Sequence, residues 1–184
     1  MKVKVKYTQE ENEQIIKNKE NNISFNLMKA RGLIKDLGEY ELVNNPQDRV
    51  ECCPDPFTMK NMKRAVDLFK KHIENNSKIV VIKDSDADGL CSAAMMINLI
   101  KNFYDREVSY KIHESKDHGL ESHYLEIIDE QFNLVILPDA GSNDIKYHKI
   151  LKEHGIDILV LDHHIINDKL IPDIEQYEDA VIVN

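Results

Sequence analysis

The 184-residue chain is short of cysteine, of glycine motifs and, in its second half, of positive charge, and each shortage removes a class of function. Its three cysteines are Cys52, Cys53 and Cys91; one adjacent pair and a singleton give neither a disulfide framework nor a Cys-x-x-Cys site. A reducing, cytoplasmic setting is therefore expected. The six glycines, at positions 32, 38, 89, 119, 141 and 155, form no Gly-x-Gly and no Walker loop, so dinucleotide and P-loop readings fail. A Gly-x-Ser-x-Gly nucleophile elbow is missing as well. No apolar run approaches the ~18 residues a membrane-spanning helix needs. The N-terminus, MKVKVKYTQEENEQ, has no apolar core and does not read as a secretory signal.

Basic surplus is also lacking. The net charge is -9, which argues against a protein that simply coats nucleic acid. The charge is uneven: residues 1–77 hold 14 Lys+Arg against 12 Asp+Glu, whereas residues 78–184 hold 10 against 21. An acidic half that acts on phosphates needs a positive charge that is not a side chain, and a divalent metal supplies one.

What is present is a core-forming sequence, 42% hydrophobic, long enough for one domain with an N-terminal extension. Residues 1–22 are a polar lead-in. Residues 23–76 are expected as a helical segment, with helical spacing from Ser24 to Ile34 and loops at Asn44-Asn45-Pro46 and Pro54-Asp55-Pro56. Thr58 is placed to cap a helix reaching about Glu74, with Met59, Met62, Ala65, Val66, Phe69 and Ile73 on one face. Lys60, Lys63, Lys70 and Lys71 on that helix read as a solvated face.

Residues 77–184 have a different texture. Apolar, β-branched runs at KIVVI (78–82), LVILP (134–138), IDILVL (156–161) and AVIV (180–183), with a weaker one at 108–112, alternate with helical stretches at 90–103, 121–130 and 144–154. That alternation predicts an α/β fold, a parallel sheet flanked by helices.

The three strongest strands each run into acid: Asp84-Ser85-Asp86-Ala87-Asp88-Gly89, then Asp139-Ala140-Gly141, then Asp162-His163-His164. In an open parallel sheet all carboxyl ends lie along one ligand-binding edge. Five carboxylates and two imidazoles gathered there repel one another unless a cation sits between them. Oxygen and imidazole ligands without thiolate favour Mn²⁺, then Mg²⁺, then Zn²⁺. Two such ions can activate a water and stabilise both oxygens of a phosphoryl displacement.

Duller readings exist for each piece. Asp-x-Asp-x-Asp-Gly also opens a calcium EF-hand loop, but its twelfth position here is Met95 and the segment follows a strand. Asp139 alone could be turn chemistry, and Asp162 a helix cap or an orienter of a neighbouring histidine. Cys91, beside the acidic loop, reads as helix packing rather than a nucleophile.

At these residues the chain resembles the DHH phosphoesterase superfamily, named for the motif standing here as Asp162-His163-His164. It is most similar to the RecJ branch of single-stranded-DNA exonucleases. DSDADGLCSAAMM (84–96), PDAGSND (138–144) and LDHH (161–164) resemble three motifs of that branch, and ARGLIKDLGEYE (30–41) with the run from Pro56 through MKRAVDLF resembles its N-terminal segment. The resemblance implies Asp86, Asp88, Asp139 and His163 as metal ligands, with Asp84 a ligand or a partner of one. It also implies His164 on the scissile phosphate and Asp162 orienting the histidine pair. Where the family carries an Arg-bearing segment, IHESKDHGL (112–120) has Lys116 and His118, which become candidate substrate contacts.

The expected function is Mn²⁺-dependent digestion of single-stranded DNA from the 5′ end, in repair or recombination. Two ions are expected in the complete enzyme. A fourth family aspartate and a closing DHH-associated domain fall beyond AVIVN, to be supplied by the full-length chain or another chain, so this chain alone is expected to be weak or inactive. The alternatives are a DHH hydrolase of short oligonucleotides, cyclic dinucleotides or pyrophosphate, and a non-catalytic DHH scaffold in a replication or repair complex.

Overall fold

The computed structural model describes residues 23–44, 55–113, 119–167 and 169–184. They fall into two compact units divided between Asp55 and Pro56. The polar lead-in, Asn45-Pro46, Pro54, Cys52, Cys53, Lys116 and His118 lie outside the described residues.

The first unit holds helices α1 (Ile23–Ala30) and α2 (Leu37–Asn44). Among its described residues Phe25, Ile34 and Tyr40 are buried, and the Phe25 and Tyr40 rings meet edge to face at 5.4 Å.

The second unit begins with a 3₁₀ turn (Pro56–Thr58) and continues α3 (Met62–Glu74), β1 (Ile79–Lys83), α4 (Ala87–Tyr104), β2 (Ser109–Ile112), α5 (Tyr124–Asp129), β3 (Leu134–Pro138), α6 (Ile145–Glu153), β4 (Asp157–Leu161), β5 (Val181–Val183). The five strands make one sheet in the order β2-β1-β3-β4-β5, every pair parallel. The expected α/β parallel sheet is the observed one. No helix among the described residues is long and apolar enough to cross a membrane.

Alternation builds the two layers. Ile79 and Val81 face α3 and α4, sharing a core with Ala65, Phe69, Ala93, Ile100, Leu134, Ile136 and Leu159. Val80 and Ile82 face the other way, with Ile127, Phe132, Leu151, Val135, Leu137 and Val160. Strand residues with both neighbours occupied are buried completely, as at Val80, Val81 and Leu134 to Leu137. Each such side chain contributes roughly 1.5–3 kcal/mol. Edge strand β2 is largely exposed, which explains its weak sequence signal.

Boundaries moved where long-range contacts intervene. Asn61, not Thr58, precedes α3; it sits in the left-handed region (φ 61) and makes no side-chain cap. Its amide nitrogen instead donates to the Ile174 and Ile182 carbonyls, both at 2.8 Å. Met59 therefore lies outside the helix and is exposed. Because α3 is a layer on this sheet, the compact unit takes it in and starts at Pro56. Lys63 and Lys71 on α3 pair with Asp67 and Asp157, as a solvated face would. Cys91 is exposed rather than packed. Helix α4 starts at Ala87 and turns Gly89, Ala93 and Ile100 to the sheet, so a residue two positions from Gly89 points away.

Candidate metal centre

Strand order decides where the site lies. From β1 the chain passes to β2 on one side, then returns across β1 to β3 on the other. The carboxyl ends of β1 and β3 therefore flank the reversal point of a doubly wound sheet, where such folds leave a crevice. Asp84, Asp139 and Asp162 directly follow β1, β3 and β4.

The β1 loop is tightly held. Asp84 is 1% exposed, and its Oδ1 accepts the Ser85 N–H at 2.7 Å. Asp86 is the N-cap of α4, its Oδ1 accepting the Gly89 N–H at 3.0 Å. Gly89 is required: a Cβ there would lie 2.5 Å from the Asp84 Cβ. The acidic segment is thus the first turn of a helix on a strand end, not an EF-hand loop.

The β3 loop is strained. Asp139 adopts φ 80, a region that costs a non-glycine residue about 1–3 kcal/mol. Its N–H donates to the Leu161 carbonyl at 2.7 Å, fastening it to the end of β4. Gly141 follows at φ 97, with Leu137 Cδ2 3.0 Å from where a Cβ would stand.

The β4 loop folds around Asp162, whose backbone N–H donates to the Val183 carbonyl. Asp162 Oδ1 accepts the His163 N–H (2.7 Å), the His164 N–H (3.1 Å) and His164 Nδ1–H (2.7 Å), while Oδ2 accepts the Ser142 N–H (3.1 Å). Burial alone would raise this carboxyl, but the donors from Ser142 and His164 hold it down at about 2. Asp162 caps no helix here; it organises its own loop. In return, the Asp162 bond raises the pKa of His164.

Two groups of donor atoms result. Asp84, Asp86 and Asp139 form one, Asp139, His163 and His164 the other, and within each the atoms lie within 4.8 Å of one another. Asp139 belongs to both. His163 Nε2 is 3.0 Å from Asp139 Oδ1 and 3.8 Å from Asp88 Oδ2. Asp88, exposed in the first turn of α4, stands at the margin and joins neither group. Lys116 and His118 cannot be placed, lying outside the described residues.

These residues fit a divalent cation. Asp139 is 7% exposed, yet its Oδ2 is buried without a hydrogen-bond partner. A buried, unpaired carboxylate oxygen costs free energy that a cation recovers. Burial, then the charges of Asp88 and Asp86, raise the Asp139 pKa against the smaller opposing effect of His163 and His164. The donors are carboxylate and imidazole, suited to Mn²⁺ or Mg²⁺. Sequence reasoning missed Ser142 and Asn184, which reach the site through contacts across 20 and more residues.

The fold and rim define a class: a doubly wound α/β domain with an acid and imidazole cluster at its strand-end crevice. The chain belongs to the DHH family, whose N-terminal domain model matches residues 78–181. It is 36% identical over 107 residues to the SPbeta prophage-derived protein YorK of Bacillus subtilis (strain 168), named as a single-strand DNA-specific exonuclease; the match covers 58% of this chain and 18% of that one. It is 34% identical over 113 residues to the single-stranded-DNA-specific exonuclease RecJ of the same organism, covering 60% and 14%. The crystal structure of exonuclease RecJ bound to manganese superposes with a TM-score of 0.54 at 25% identity, over 59% of this chain and 29% of that one. The matched region spans less than a fifth of these curated relatives.

Proposed function

We propose that this chain is the DHH part of a Mn²⁺-dependent exonuclease that digests single-stranded DNA from the 5′ end in repair or recombination. The observation that carries this reading is Asp139 shared between two ligand groups at the reversal point of the sheet. Relatives named as single-strand-specific exonucleases support the substrate, and a manganese-bound neighbour supports the metal.

Asp84, Asp86 and Asp139 would hold one ion, and Asp139 with His163 a second, with Asp88 at the margin free to move in. Ions bound there supply an acidified water and charge neutralisation for phosphodiester hydrolysis. The chain's own residues do the rest. Asp162 fixes the His164 ring through Nδ1, leaving Nε2 to meet a phosphate oxygen. Buried Asp84 and the Asp86 cap set the β1 loop before substrate arrives.

The test is digestion of single strands labelled at either end, with Mn²⁺, by the chain completed with a DHH-associated C-terminal half and by its Asp139→Asn variant so completed, using a complete RecJ as reference. Mn²⁺-dependent release from the 5′ label, lost in the variant, is the expected result. Release from the 3′ end, or preference for dinucleotides over long strands, overturns the substrate; activity surviving Asp139→Asn overturns the site.

A further inference from the structure

The two loops that must meet at the metal centre come from different strands, and a backbone bond from Asp139 to Leu161 joins their bases. Farther out, side chains of the loops also join them: Asp162 Oδ2 accepts the Ser142 N–H, while Asn143 Nδ2 donates to the Ile165 carbonyl at 2.9 Å and its Oδ1 accepts the Asn167 N–H at 2.8 Å. A further side chain spans them from outside both loops. Asn184, immediately after β5, donates through Nδ2 to Ser142 Oγ at 3.1 Å and to the His164 carbonyl at 2.8 Å. Ser142 belongs to the β3 loop three residues after Asp139, and its N–H donates to Asp162 Oδ2. His164 closes the β4 loop. Both hydrogens of one amide are thus spent on the two segments that carry the ligands.

We propose that Asn184 is a positioning residue, an amide clamp that holds the Asp139 loop and the His163-His164 loop in the register one metal ion requires. This rests on the proposed reading in which Asp139 and His163 share an ion, with His164 beside them. Three features single out Asn184. It follows β5, which pairs with β4, so it stands beside the β4 loop. Its two hydrogen bonds go to Ser142 Oγ and the His164 carbonyl rather than to a grouped donor atom, so it acts through other residues. A primary amide supplies two donor hydrogens from one nitrogen, which a hydroxyl cannot. Loss of such an outer partner lowers metal affinity by about 10- to 100-fold without removing a ligand.

The test compares the 184-residue chain with Asn184→Ala and with Asn184→Asp, which keeps size and shape but lacks both donor hydrogens. Two measurements are made: Mn²⁺ affinity by calorimetry, and amide hydrogen exchange of the metal-free protein. Both variants should bind Mn²⁺ at least tenfold more weakly. Exchange should quicken at Ser142, His163 and His164 but not in β1, with thermal midpoints little changed. Unchanged affinity and unchanged exchange in both variants overturn the clamp, as does loss of protection throughout the sheet, which would make Asn184 merely structural. If the wild-type chain takes up no Mn²⁺, the metal reading fails; exchange at the three loop amides then decides the clamp alone.

Discussion

The neighbouring strands β3 and β4 carry aspartates in opposite circumstances at their two ends, Asp157 at the start of β4 and Asp139 after the finish of β3. At the start of the strand, Asp157 is met by His72 Nε2 at 3.0 Å, Lys71 Nζ at 2.9 Å and Lys152 Nζ at 3.2 Å. The His72 bond foremost, helped by the two lysines, holds its carboxyl far below the usual range. At the finish, the acids of the rim crowd one another, and Asp139 is pushed up by burial and by its acidic neighbours. The same residue type is structural where cations of the chain surround it, and on the proposed reading is a metal ligand where, among the described residues, acids and histidines surround it instead. Partners, rather than position at a strand end, separate the two roles.

The largest expected effect breaks the rim. Asp139→Asn keeps a residue that tolerates a left-handed backbone but removes the shared charge. Mn²⁺ affinity should fall by about a hundredfold or more, with metal-free stability unchanged or raised, because a raised pKa marks a charge the fold disfavours. Calorimetry and urea unfolding at neutral pH check both halves.

Acid should loosen the rim side before the far edge. His148, fully buried in the first turns of α6, is held neutral by burial, its pKa lowered from 6.5 to about 4. The unfolded imidazole takes up its proton near 6.5 and the folded one only near 4. Stability from this group is therefore complete above 6.5 and falls with pH across that window, by roughly 3 kcal/mol in all. His148→Gln should flatten that part of the stability profile. Asp157 acts at lower pH: its depressed carboxyl contributes fully above its unfolded value and is lost as pH falls through its folded one.

The far edge is tested by Asp157→Asn, which leaves His72, Lys71 and Lys152 without their anion. About 1–3 kcal/mol should be lost at pH 7, with the acid limb below about pH 4 weakened and Mn²⁺ affinity untouched. The smallest effect belongs to Lys63→Ala. Its pair with Asp67 lies on an exposed helix face, so urea unfolding should move by less than about 0.5 kcal/mol.

What the sequence revealed follows from how local each cause is. The strands of LVILP and IDILVL were legible to within a residue because burial on both faces writes a continuous apolar run. The rim acids were legible because parallel strands deliver their following residues to one edge. The start of α3 was not, because Asn61 answers to Ile174 and Ile182, more than a hundred positions away. Cys91 was misjudged since the phase of α4 is set by its true start at Ala87, inside the acidic motif. Ser142 and Asn184 carry no local signature at all; only the folded rim joins them. The marginal place of Asp88 likewise depends on how α4 is phased against the β4 loop.

The most direct test of the account is a calorimetric Mn²⁺ titration of the wild-type chain beside Asp139→Asn and Asp157→Asn. Micromolar binding that is abolished by the first substitution and unaffected by the second is the predicted result. Binding that ignores Asp139, or that Asp157→Asn weakens equally, would contradict the assignment of the metal centre to the strand-end rim.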